Sequence, residues 1–165
     1  MKTKDVIIFI ASVLITLFIA TSCMYSAKSS INPTNLTVEY LTNPDGLDVE
    51  QPRFSWILEP TKENEYGQKQ TAYRILVASS TKLLKADEAD VWDTGWVISD
   101  KMQLIKFEGN SLQSDHTYYW KVEVKDESGN ESALSKTAQW STGLFSNDEW
   151  TANWIGTGES YNPAE

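Results

Sequence analysis

Cysteine and histidine are almost missing from this chain: Cys23 and His116 are the single representatives of their types in 165 residues. One thiol cannot close an intramolecular disulfide, so the fold must be held by a packed interior. One histidine excludes a multi-histidine metal site, and no G-x-S-x-G elbow or Gly-rich phosphate loop accompanies it. Basic residues are also few, 14 Lys and Arg against 23 Asp and Glu, for a net charge of −9. Such a surface repels phosphate backbones and anionic lipid, so nucleic acid is not an expected partner. The spacing of oxygen ligands that marks a calcium loop is absent too, and neither a metal nor a cofactor is expected.

No apolar run is long enough to read as a membrane-spanning helix. The longest, Val6–Ala20, has fifteen residues and follows Lys2 and Lys4. That is short for roughly 30 Å of hydrocarbon and right for the apolar region of a signal peptide. Ala20-Thr-Ser-Cys23 comes next. A small residue directly before a cysteine here resembles the bacterial lipobox, which implies cleavage after residue 22 and lipid on Cys23. The chain is then expected to be exported to a bacterial cell envelope and held to the membrane by lipid. An ordinary secretory signal, or an uncleaved anchor with an incidental Cys23, is the alternative. Removing residues 1–22 takes away two lysines and one aspartate and moves the net charge from −9 to −10.

What is present is aromatic and strand-like. Residues 23–34 are small and polar and read as a flexible tether. From there, short alternating segments are separated by turn signals: Leu36–Leu41, Arg53–Leu58, Gln70–Ser80, Val91–Val97, Met102–Phe107, His116–Lys125 and Lys136–Thr142. Thr81–Ala89 is predicted as one or two helical turns capped by Ser80 or Thr81. The segment Gln70–Ser80 has apolar residues on both faces, Tyr73, Ile75 and Val77 on one and Ala72, Leu76 and Ala78 on the other, with Arg74 among the latter. A strand of that kind expects cover on both sides. In His116–Lys125, Tyr118, Trp120, Val122 and Val124 alternate with charged residues. About seven strands over residues 35–145 suit an all-β, two-sheet sandwich of the immunoglobulin or fibronectin type III kind. Tyr118 is then the candidate for the tyrosine corner, its hydroxyl tied to backbone a few residues upstream.

Several blocks narrow the reading. In order they are Leu36-x-Val-Glu-Tyr40, Asn43-Pro-x-Gly46, Pro52-Arg-Phe-Ser-Trp56, Gln70-Thr-Ala-Tyr-Arg-Ile75, Val77-Ala-Ser-Ser80, Trp92-Asp-Thr-Gly95 and Tyr118-Tyr-Trp120. This series resembles the N-terminal fibronectin-like domain of bacterial α-L-rhamnosidases of glycoside hydrolase family 78, over roughly Asn35 to Ile155. The resemblance implies an accessory domain, since catalysis in that family resides in a later α/α barrel. No catalytic residue carries over, and the chain alone is expected to be inactive. Residues 146–165, with Trp150 and Trp154, resemble the junction into a following sandwich domain, which makes the chain a truncated or split form. The expected partners are those downstream domains. The alternative is a free-standing surface module that binds rhamnose-containing glycans or serves in adhesion.

Glycoside hydrolysis needs two carboxylates across a cleft. The acids cluster instead in two loop regions, Asp87, Glu88, Asp90 and Asp93, then Asp126, Glu127 and Glu131, and read as solvated loop charge. Among seven tryptophans, Trp56, Trp120 and Trp140 belong to the core by alternation. Trp92, Trp96, Trp150 and Trp154 are left as candidates for carbohydrate or interdomain contact.

Overall fold

The computed structural model describes residues 28–63, 65–85 and 88–153. The expected signal peptide, Cys23, the first part of the tether and Trp154 lie outside the described residues.

Alternation of apolar and polar residues sets the strands. They are β1 (Ile31–Val38), β2 (Arg53–Pro60), β3 (Gln70–Ala78), β4 (Trp92–Asp93), β5 (Val97–Ile98), β6 (Ile105–Lys106), β7 (Thr117–Asp126) and β8 (Ala138–Ser141). One sheet has the order β1-β2-β6; the other runs β4-β3-β7-β8, with β5 also on β3. All these pairings are antiparallel. Between the sheets lie Phe54, Trp56, Ile75, Val77, Trp120, Val122, Val124 and Trp140. Phe54 is the hub, with its ring 4.7 Å from Trp120 and 5.3 Å from Trp140, both edge-on. Edge-on contacts are the favoured geometry between aromatic quadrupoles.

Strand β3 is covered on both faces. Tyr73, Ile75 and Val77 join the main core, while Leu76 and Ala78 form a second cluster with Leu84. Leu84 comes from α1 (Thr81–Lys85), whose start is capped by the Ser80 hydroxyl accepting from Leu83 N–H at 3.4 Å. Arg74, the one charged residue on that face, is paired to Asp93 and Glu123.

Four local differences from the sequence reading have physical causes. The stretch expected as tether enters the sheet at Ile31, which is 1% exposed and pairs with Pro60. Its polar composition hid an edge strand, where Pro33 is tolerated because an edge needs no second ladder. The segment expected to reach Leu41 stops at Val38, since Glu39 and Tyr40 both take positive φ (49° and 67°). Val38 and Leu41 exchange both backbone hydrogen bonds at 2.9 Å, a two-residue turn of the type that left-handed residues make. Val91–Val97 is divided into β4 and β5 at Gly95, whose φ of 57° makes a bulge: both pieces run antiparallel to β3, with one extra residue between them. Met102–Phe107 keeps strand pairing only at Ile105–Lys106, because Leu104 lies at φ 55°.

Candidate functional surface

The turn preceding β7 is tied down from two sides. The Tyr118 hydroxyl accepts from Gln113 N–H at 2.7 Å, and the Thr142 hydroxyl donates to Gln113 C=O at 2.6 Å. His116 packs its ring edge-on against Tyr118 at 4.8 Å, and its backbone N–H donates to the Thr142 hydroxyl. His116 thus sits in a structural corner.

The acids with described partners hold loops. Asp90 accepts from the backbone N–H and hydroxyl of Ser79, at 2.9 and 2.6 Å. Asp93 accepts from Nε and Nη2 of the Arg74 guanidinium at 2.9 and 2.7 Å and from the Gly95 N–H at 2.8 Å, while Arg74 Nη1 donates to Glu123. The Arg74 hydrogen bonds hold the Asp93 carboxyl below its ordinary range, so it is no proton donor at neutral pH. Asp126 accepts from the backbone of Ser30, Ser128 and Asn130, which closes the hairpin onto the start of β1. Burial opposes its charge, but these hydrogen bonds outweigh burial and lower its pKa. Glu131 pairs with Lys125 at 3.1 Å. Glu88 N–H closes the end of α1 on Leu83 C=O, and Asp87 lies outside the described residues. Among the described residues no group of three or more metal-ligating side chains converges.

The tryptophans divide into three kinds. Trp56, Trp120 and Trp140 are buried. The Trp56 indole N–H donates to Gln70 at 3.0 Å, and the buried Gln70 amide in turn donates to the carbonyls of Ser99 and Lys101. Gln70 is a polar pin between sheet and loop that alternation alone did not single out. Trp96 carries the Lys125 ammonium 4.3 Å from its ring centre, so one indole face is already covered. Trp92 is half-buried, with Phe107 at 5.2 Å and Phe54 at 5.9 Å.

Trp150 is 54% exposed and borders an apolar groove of about 480 Å3 with Leu144, Ser146 and Asn147. A short 3-10 helix, Asn147–Glu149, positions it. This places Trp150 and Leu144 together on the end of the sandwich where the chain leaves β8. Trp92 and Trp96 lie elsewhere, along the β4–β5 edge of the five-stranded sheet, opposite the edge formed by β8.

Residues 33–146 match the family model described as the Rha78A-like, N-terminal immunoglobulin domain. The chain is 39% identical over 127 residues to an alpha-L-rhamnosidase of Streptomyces avermitilis, covering 77% of this chain and 12% of that protein. It is 38% identical over 137 residues to an alpha-L-rhamnosidase of Formosa agariphila, covering 81% of this chain and 14% of that protein. Among solved structures it is similar to the alpha-L-rhamnosidase from Dictyoglumus thermophilum, with a TM-score of 0.70 and 40% identity over 75% of this chain and 14% of that one. The chain therefore spans about an eighth of the length of the relatives it matches.

Proposed function

From the fact that the chain belongs to the family of Rha78A-like, N-terminal immunoglobulin domains, we propose that it serves as a non-catalytic accessory module of a rhamnoside-cleaving glycoside hydrolase. The observation that carries this reading is the match itself: a whole sandwich here corresponds to a small N-terminal share of much longer rhamnosidases. Its work would be mechanical, holding neighbouring domains in place. The exposed Trp150 and Leu144, at the end where the chain leaves the sandwich, give it an apolar seat for the domain that follows. Lipid on Cys23 would tether the assembly to a bacterial envelope, in keeping with the apolar run at Val6–Ala20.

A domain exchange tests the reading. Residues 33–146 and the following segment through Trp150 replace the corresponding N-terminal domain of the Streptomyces avermitilis enzyme. The hybrid is expected to hydrolyse an aryl rhamnoside and to keep its melting temperature, while the full 165-residue chain alone releases no product. A hybrid that unfolds or loses activity would count against the proposal, as would hydrolysis by the chain alone. Placing Ala at Trp150 in the hybrid should lower its melting temperature without lowering that of the chain alone.

A further inference from the structure

Between the β4–β5 side of one sheet and β6 of the other lies an open groove of about 460 Å3. That volume falls within the roughly 300–1,000 Å3 in which proteins hold small molecules. Its apolar wall includes Trp92, Tyr73 and Val97; its polar rim includes Lys101, Lys106 and Glu108.

The aromatic wall is unusually well fixed. Behind Trp92, Gly109 leaves no room for a side chain: a Cβ there would meet Trp92 Cβ at 2.6 Å and Phe107 Cζ at 2.7 Å. Asn110 locks the same backbone, its N–H donating to Val91 C=O at 3.0 Å and its side-chain amide to Asp90 C=O at 3.1 Å. Tyr73 is held edge-on by Trp56 at 5.3 Å and is 7% exposed. Burial first, and then the Glu108 charge, raise the Tyr73 phenol, which keeps it a neutral hydroxyl.

The rim carries both signs. Lys101, Lys106 and Glu108 all line it, and the Asp93 carboxylate at the edge is already neutralised by Arg74. A ligand of strong charge gains little from such a rim, whereas one with many hydroxyls finds both donors and acceptors. A fixed aromatic wall beside them suits the apolar C–H faces of a sugar ring.

We propose that this groove is a binding site for a neutral pyranoside, with the half-buried Trp92 as the stacking wall, the buried Tyr73 as the floor behind it, and Lys101 and Glu108 as its hydroxyl contacts. The groove chemistry alone carries the class of ligand; the choice of a rhamnoside as first probe rests on the function proposed above. Trp96, with its indole covered by Lys125, is not part of the site.

Amide NMR of the full chain in mild detergent tests it. Methyl α-L-rhamnopyranoside and methyl α-D-glucopyranoside are titrated to about 20 mM, above the millimolar affinity expected of one sugar ring. Glucuronate and glycerol serve as counter-probes. At least one pyranoside is expected to shift the amides of Thr94, Val97 and Lys106 saturably, with glucuronate and glycerol inert. Lys101→Ala with Glu108→Gln, both exposed positions, should weaken binding at least tenfold while leaving the rest of the spectrum in place. Trp92→Phe should weaken it too. Absence of shifts with both pyranosides, shifts centred elsewhere, equal response to glycerol, or unchanged affinity in the rim variant would each overturn the proposal. The domain exchange above reads stability and hydrolysis, so its failure and failure here are separable.

Discussion

A single phenol shows how much one residue can organise in this sandwich. Tyr118 stacks its ring on Trp140 at 5.2 Å and accepts one backbone hydrogen bond from Gln113. The ring alone would fill the core; the oxygen fixes the turn at 113–116, where Asp115 sits at φ 51°. Tyr118→Phe keeps the packing and removes the acceptor. A net loss of about 1 kcal/mol is expected, rising toward about 3 kcal/mol if the Gln113 N–H is left dry. In urea, the unfolding midpoint should fall while its slope is unchanged. An unaltered midpoint would show that the corner bond adds nothing beyond what water supplies.

At the scale of elements, the contact between β3 and α1 is the one that makes β3 an interior strand. Leu84 is 1% exposed and closes over Leu76 and Ala78, whereas its neighbour Leu83 is only half-buried. Five helical residues have no stability of their own in water, so α1 exists because that one leucine is buried. Leu84→Ala is expected to cost about 2–5 kcal/mol, and Leu83→Ala distinctly less. Thermal unfolding of the two variants side by side checks the order, and equal losses would mean that α1 is held by its cap instead. The two-faced pattern of β3 and the alternation of β7 were legible in the sequence because burial there follows side-chain type. The start of β1 was not, because Ile31 is a lone apolar residue among Ser29, Ser30, Asn32, Pro33 and Thr34, and one buried side chain with backbone pairing leaves little mark on composition. Positive φ at Glu39, Tyr40 and Leu104 had no glycine to announce it. The groove was illegible for another reason: Tyr73, Trp92, Lys101 and Glu108 meet only once β4 and β5 pair with β3 and β6 pairs with β2 in the facing sheet.

For the whole molecule the governing quantity is the acidic surplus of the sequence together with three carboxylates that the fold stabilises in ionised form. Glu39 is lowered by its hydrogen bonds to Arg53, Asp93 by those to Arg74, and Asp126 by backbone donors despite its burial. Each gives up its proton more readily in the folded chain than in the unfolded one. Their contribution is therefore complete above the ordinary carboxylate range, near pH 4, and is lost as pH falls through the lowered folded values. Asp126 matters most, since it is 4% exposed and joins the β7 hairpin to the start of β1 through Ser30 N–H at 3.0 Å. Asp126→Asn keeps the shape and one acceptor oxygen but removes the charge. At pH 7 it should cost about 1.5–3 kcal/mol, the range for hydrogen bonds to a charged group. Because the wild-type loses that same charge in acid, the gap between the two urea midpoints should narrow from pH 7 to pH 3. A gap that stays constant across this range would mean that Asp126 acts by shape alone and that acid sensitivity resides in the surface pairs Arg53–Glu39 and Arg74–Asp93.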